Sequence, residues 1–223
     1  MVIKLKNTKI NNTMKLVEGL KWRYAVKRFD STKKLSIDQI NYLKEAINYI
    51  PSSYGLQPYK VLEIESKEIR EKLREAAYGQ PQLTEASHVF IFANFTEYGP
   101  DKVDSFIKLS AETNNIPEEN SKGYRDMLNG MISSMTPDQI SNWNAKQVYI
   151  ALGAMLSAAA EQEIDAAAME GFDKAKFDEI LGLKEKGLTS VCIGAVGYRS
   201  PEDQNQFLKK VRKPMDQLFE KIS

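Results

Sequence analysis

Trp22-Arg23-Tyr24-Ala25-Val26-Lys27-Arg28-Phe29 lies where a segment of helical spacing, Leu16, Leu20 and Tyr24 with Val17 beside them, runs out into three cations set among aromatic and small residues. The stretch reads as half of an anion pocket. Its other half lies near the far end of the chain, in Lys209-Lys210-Val211-Arg212-Lys213-Pro214. Guanidinium groups grip phosphate through forked, charge-assisted hydrogen bonds, and ammonium groups act as mobile point charges. One phosphate held by both clusters would tie the first and last elements together. Charge alone favours the plainer reading of two solvated basic faces, so the rest of the chain has to decide between them.

Composition narrows the choice. With 223 residues the chain can bury a substantial core, and 31 basic against 30 acidic side chains leave no global field for nucleic acid or an anionic membrane. The only cysteine, Cys192, falls inside the apolar run Ser190 to Val196, so no disulfide forms within the chain and a buried strand thiol is expected. That fits a reducing cytoplasm. Met1 to Thr13 lacks the continuous apolar core of a secretion signal, and the longest apolar run, Val148 to Ala160, is too short to span a bilayer. A soluble, cytoplasmic protein is expected, with residues 1–12 a loose arm and 13–223 one domain. The only histidine, His88, opens an apolar run, and no second histidine or cysteine pair exists to build a metal centre. No Ser/His or Cys/His couple has spacing that supports nucleophilic catalysis, so an enzyme of this sequence would rely on a cofactor for its chemistry.

In chain order, Ser36-Ile37-Asp38-Gln39 has the form of a capping box, and Ile37, Ile40, Leu43, Ile47 and Ile50 mark one helical face up to Pro51. Pro51-Ser52-Ser53-Tyr54-Gly55-Leu56-Gln57-Pro58-Tyr59 is then an ordered turn. Tyr59 to Glu65 alternates as a strand, Ser66 caps a helix through Ile69, Leu73 and Ala76, and the polar loop Gly79-Gln80-Pro81-Gln82 precedes a strand at Val89 to Phe95. Asp101 to Thr136 reads as patchy helix with a polar break at Asn114 to Ser121, either a lid or a surface insertion. Thr136-Pro137-Asp138-Gln139 starts a long helix that continues through Ala159 and is expected to be buried nearly all round, as a central core helix or a dimer seam. A strand at Ile164 to Met169, a turn at Glu170-Gly171-Phe172-Asp173, a helix capped by Asp173 and closed by Gly182, and a buried strand at Thr189 to Gly197 complete an α+β domain with an antiparallel or mixed sheet.

These stretches together resemble the FMN-dependent nitroreductase family, in particular its bacterial oxygen-insensitive NAD(P)H branch, from about Met14 to Pro214. The resemblance rests on Arg23 through Phe29, Pro51-Ser52-Ser53 followed by Gln57-Pro58, Glu85-Ala86-Ser87-His88-Val89, Trp143 to Tyr149, Met169 to Asp173, Gly182 to Gly187 and Lys210-Val211-Arg212. It implies a nitroreductase-like fold, a mostly antiparallel central sheet flanked by helices, in an interlocked homodimer with two FMN molecules at the interface. By that likeness Arg23, Lys210 and Arg212 hold the FMN phosphate, and Tyr24 and Ala25 supply neighbouring contacts. Lys27 lies by the pyrimidine edge of the ring, where a cation stabilises the charge of the reduced flavin. Backbone amides of Glu170 and Gly171, after Met169, face N5 and O4, Pro51, Ser52 and Ser53 come from the partner subunit, and Gln57 is a further cofactor contact. Several positions depart from the commonest pattern. Ala25 stands for a frequent serine, Gly55 for asparagine and Tyr59 for tryptophan, while Gln80 and Gln82 occupy a loop where relatives place asparagine and lysine. One of the two glutamines is expected to meet the pyrimidine edge.

The mechanism implied by the resemblance is ping-pong. NADH or NADPH passes hydride to the flavin and leaves, and a small electron-poor aromatic acceptor, a nitroaromatic or a quinone, takes two electrons at the same site. Met127, Leu128 and Met131 are expected to roof that site as a soft wall, although an ordinary amphipathic helix explains them almost equally well. Other reductases of the fold, acting on dihydropteridines, enones or halogenated substrates, and an FMN sensor or carrier with incidental reductase activity are the alternatives.

Overall fold

The computed structural model describes residues 15–222, so the arm expected at residues 1–12 lies outside it. Helix α1 (Leu16–Trp22) gives way at Arg23 to extended backbone, and helix α2 (Ile37–Tyr49) follows. The capping box of α2 is formed in both directions, Gln39 N–H donating to Ser36 Oγ at 3.2 Å and Ser36 N–H to Gln39 Oε1 at 2.9 Å. Strand β1 (Tyr59–Glu63), helix α3 (Lys67–Ala76), the single-turn helix α4 (Gln82–Glu85) and strand β2 (His88–Phe95) come next. Ser66 Oγ caps α3 by accepting from Ile69 N–H.

The stretch least legible in the sequence forms two helices, α5 (Pro100–Asn114) and α6 (Lys122–Ser133), and the expected polar break is the turn between them. Helix α7 (Pro137–Glu161) starts at Thr136 with a second two-way capping box. Strand β3 (Asp165–Met169), helix α8 (Lys174–Ile180), strand β4 (Leu188–Gly197) and the short helix α9 (Met215–Leu218) complete the described chain.

The four strands form one sheet in the order β1-β2-β4-β3, and every neighbouring pair is antiparallel. Alternate residues of a strand face opposite sides, so the central strands supply two cores. Phe90, Phe92 and Cys192 pack with Leu43 of α2 and with Val148 and Met155 of α7. On the other side Val89, Ile91 and Ile193 pack with Leu73 of α3 and Phe177 of α8. A smaller core of Val103, Ile107, Leu128 and Ile132 joins α5 to α6. Burial pushes the Cys192 thiol up to about 12, with the Glu170 charge adding to it, as expected of a packed thiol.

Two helices depart from expectation. Helix α7 was expected to be buried nearly all round, yet Tyr149 and Ile150 are each 43% exposed, and no described residue covers that face. Helix α1 likewise turns Leu16, Val17 and Leu20 outward and buries Gly19 instead, whose Cα lies so close to α7 that an added Cβ would sit 2.9 Å from Ala160 O. Glycine is needed there for the close approach of the two backbones.

Candidate functional site

The opening stretch is held in place at both ends. Val26 and Phe29 are buried in the core on the α3 and α8 side of the sheet. Ala25 bridges Ala166 of β3, Phe29 bridges Arg199, and Asp30 N–H donates to Tyr198 O at 2.8 Å. Arg28 is turned away to Glu85, donating from Nε to both carboxylate oxygens, and plays no part in a pocket. Arg23, Tyr24, Ala25 and Lys27 instead line a cleft of about 540 Å³ together with Lys210 and Arg212 from the far end of the chain. The two basic clusters that the sequence set far apart therefore meet.

Among the described residues, no acidic side chain lines this cleft. The Arg23 Nε is buried and makes no hydrogen bond among the described residues. Burial, and then the charge of Arg212, hold the Arg23 pKa below its ordinary value. Burial followed by the charges of Arg23 and Arg212 does the same to Lys210. Arg23 and Lys210, each lowered by burial and by cationic neighbours, make a site that gains from an anion with several acceptor oxygens. Lys210 differs from expectation in one respect: its Nζ donates to Leu20 O at 2.6 Å, to Lys21 O at 3.0 Å and to Arg23 O, so it closes the C-terminal end of α1 as well as lining the cleft. Arg212 is exposed, and its guanidinium donates to its own chain at Val211 O.

Three residues that support the cleft carry no obvious signal in the sequence. Asp165, 4% exposed, receives Arg199 N–H and Nε at 2.8 Å each, and pairs with the same guanidinium at 2.6 Å. That guanidinium is 4.5 Å from the ring centre of Trp22 and 4.7 Å from that of Tyr24, so it holds both aromatics that flank Arg23. Asp203 is buried below the stretch and bonds Tyr24, Lys27 and Arg28. Burial and then the Asp203 charge raise the Tyr24 phenol far above its ordinary value, so it stays a donor.

The remaining expected residues form two further groups. Met169 ends β3 and is buried, and Glu170 and Gly171 follow as an exposed turn. Gln80 reaches across to this turn, donating from Nε2 to Gly171 O at 2.6 Å and to Ala77 O at 3.1 Å, which leaves its Oε1 as acceptor. Gln82 is 2% exposed and its Oε1 has no partner. The Tyr149 phenol is pushed up to about 12, by burial first and then by the Glu170 carboxylate, so that carboxylate lies toward α7.

The second group is the turn after α2. Ser52 Oγ accepts from Gln57 N–H at 2.9 Å, Gln57 Nε2 donates to Asn48 O at 2.9 Å, and Ser53 N–H donates to the buried amide oxygen of Gln147 at 2.8 Å. Pro51 is exposed beside them, and Tyr54 takes a positive φ of 54° that bulky residues rarely adopt. On α6, Met127 is exposed and Met131 half-buried, but Leu128 is fully buried against Val103 and Ile107 and has no surface to offer an acceptor. Its place on the inner side of an amphipathic helix is why.

An antiparallel sheet wrapped by helices defines an α+β protein, and its cation-lined cleft brings together residues from 21–27 and 205–212. The chain belongs to the nitroreductase family, whose family model matches residues 20–198. It is 32% identical to the oxygen-insensitive NAD(P)H nitroreductase of Salmonella typhimurium, over 94% of this chain and 100% of that protein. It is 30% identical to the major NAD(P)H-flavin oxidoreductase of Aliivibrio fischeri, over 93% of this chain and 98% of that one. Among solved structures, a nitroreductase-fold protein from Exiguobacterium sibiricum in complex with FMN superposes with a TM-score of 0.82, covering 95% of this chain and 99% of its own, at 18% identity. That likeness establishes the nitroreductase fold.

Proposed function

We propose that this chain is an FMN-dependent oxidoreductase that draws hydride from NADH or NADPH and reduces small electron-poor aromatics, nitroaromatics or quinones, by two electrons. The observation that carries the reading is the acid-free cleft in which the buried Arg23 Nε lacks a partner. A phosphate monoester fits such a donor set, since it offers several oxygens and about two charges at neutral pH. The names of the relatives, which pair NAD(P)H with nitro compounds or with flavin, support the donor and the acceptor class.

In this reading Arg23 and Arg212 hold the phosphate, and Lys210 adds charge while keeping α1 closed. Lys27, which makes no side-chain hydrogen bond or ion pair among the described residues, places its ammonium at the pyrimidine edge of the ring. The main chain of Glu170 and Gly171 serves N5 and O4, with Gln80 bracing the turn from behind. Gln82 is the better of the two glutamines for the pyrimidine edge, because its Oε1 is buried without a partner among the described residues, whereas the Gln80 amide is committed to bracing the turn. FMN, when bound there, would supply the redox chemistry, carrying two electrons between the nicotinamide and the acceptor. Pro51, Ser52, Ser53 and Gln57 complete the site from a second copy of the chain, and Met127 and Met131 border the acceptor.

An anaerobic visible spectrum tests the reading. Yellow protein bleached by NADH or NADPH supports it and identifies the donor; protein that stays colourless after incubation with FMN overturns it. Parallel initial-rate lines with both substrates varied are expected for ping-pong exchange, and intersecting lines would count against a shared site.

A further inference from the structure

We propose that Asp203 is a positioning residue, the latch that fastens the two halves of the phosphate seat to each other. The inference rests on the reading of the cationic cleft as that seat. Asp203 does not line the cleft. It lies beneath it, 2% exposed, where the chain leaves β4 and turns toward Lys210 and Arg212.

A carboxylate that only capped the turn after it would need the single bond it accepts on Oδ1 from Asn205 N–H at 3.0 Å. Asp203 does more. Its Oδ2 accepts from Lys27 N–H at 2.8 Å, from Arg28 N–H at 3.3 Å and from the Tyr24 hydroxyl at 3.1 Å. These donors belong to the opening stretch, 175 to 179 positions away in sequence. One oxygen thus holds the N-terminal half of the seat and the other holds the C-terminal half.

Burial alone would raise the carboxyl, but the backbone donors of Lys27, Asn205 and Arg28, with the Tyr24 hydroxyl, outweigh it and hold the group below the usual carboxylate range. The latch is therefore charged, and its bonds are of the stronger, charge-assisted kind. The backbone of Lys27 and Arg28 cannot rotate without breaking bonds to a group that cannot reach water. Arg23 and Ala25, a few residues back on the same extended segment, inherit that fixed position. Seven and nine residues after the latch, Lys210 and Arg212 inherit theirs.

An isosteric Asp203→Asn change keeps one accepting oxygen and turns an NH2 group against donors on the other side. The preference for FMN over riboflavin, which lacks only the phosphate, isolates the effect from general loosening of the fold. It is measured as the ratio of dissociation constants after reconstitution of the same preparation with either flavin. The ratio is expected to fall about tenfold or more in Asp203→Asn, and about threefold in Tyr24→Phe, which removes one donor and leaves the carboxylate in place. Tyr24→Phe carries the test should the asparagine variant not fold.

A wild-type protein that discriminates, with variants that lose both flavins by the same factor or keep the full preference, overturns the latch and leaves the phosphate seat standing. A wild-type protein that binds FMN and riboflavin equally overturns both.

Discussion

Arg23 is the residue on which the cofactor reading turns, because its buried Nε has no partner and its charge is opposed by Arg212. Arg23→Ala is expected to raise the FMN dissociation constant by about ten- to a hundredfold, the scale of one or two lost charge-assisted bonds, read from flavin fluorescence on dilution of the holoprotein. A change under about twofold would remove it from the seat. Asp203 gives a pH prediction. Its folded pKa lies below the unfolded value of about 3.9, so its contribution to stability is fully present above about pH 4 and is lost as pH falls through the folded pKa. The midpoint of thermal unfolding should drop in that acid window, and the drop should be smaller in Asp203→Asn; equal acid profiles would show that the carboxylate is not held as described. Arg23, Lys210 and Arg212 were legible in the sequence because cations clustered at both chain ends stand out. Asp203, Asp165 and Gln147 were not, since a single acid or amide bears no mark of a partner more than thirty positions away.

At the scale of elements, legibility followed the strength of local signals. Helix α2 announced itself through a capping box and α7 through a cap, a proline at its first position and a first-turn carboxylate, and the structure forms a two-way capping box at both; the strands showed through alternation. Helices α5 and α6 were blurred because each buries only a narrow stripe, so most of their positions are free to be polar. The junction of α1 with α7 is open to test. Gly19→Ala forces a methyl against the backbone of Ala160 and should destabilise the fold by about 1–3 kcal/mol in chemical denaturation. An unchanged midpoint would mean that the helices can separate at no cost. On α6 the two neighbours Met127 and Leu128 should behave oppositely. Leu128→Ala should cost about 2–5 kcal/mol of stability, whereas Met127→Ala should leave stability within about 0.5 kcal/mol and alter KM for bulky acceptors. A KM insensitive to Met127 would remove α6 from the acceptor site.

For the molecule as a whole, the exposed apolar faces ask for a partner. Leu16, Val17 and Leu20 on α1, Tyr149 and Ile150 on α7, and Val211, Met215, Leu218 and Phe219 near the chain end are all at least 40% exposed. Such surface is more than a soluble monomer ordinarily leaves to water, and it agrees with the homodimer proposed above. Sedimentation at micromolar concentration should give a dimer, and a monomer that retains FMN would sink the idea of a site shared between copies. The tie between Lys210 and the main chain at Leu20, 190 positions apart, has a consequence in time. During synthesis the first half of the seat leaves the ribosome 190 positions ahead of Lys210. A nascent chain stalled before Lys210 should hold no FMN however well its sheet has formed, so loading of the cofactor waits until Lys210 has been made and can reach α1.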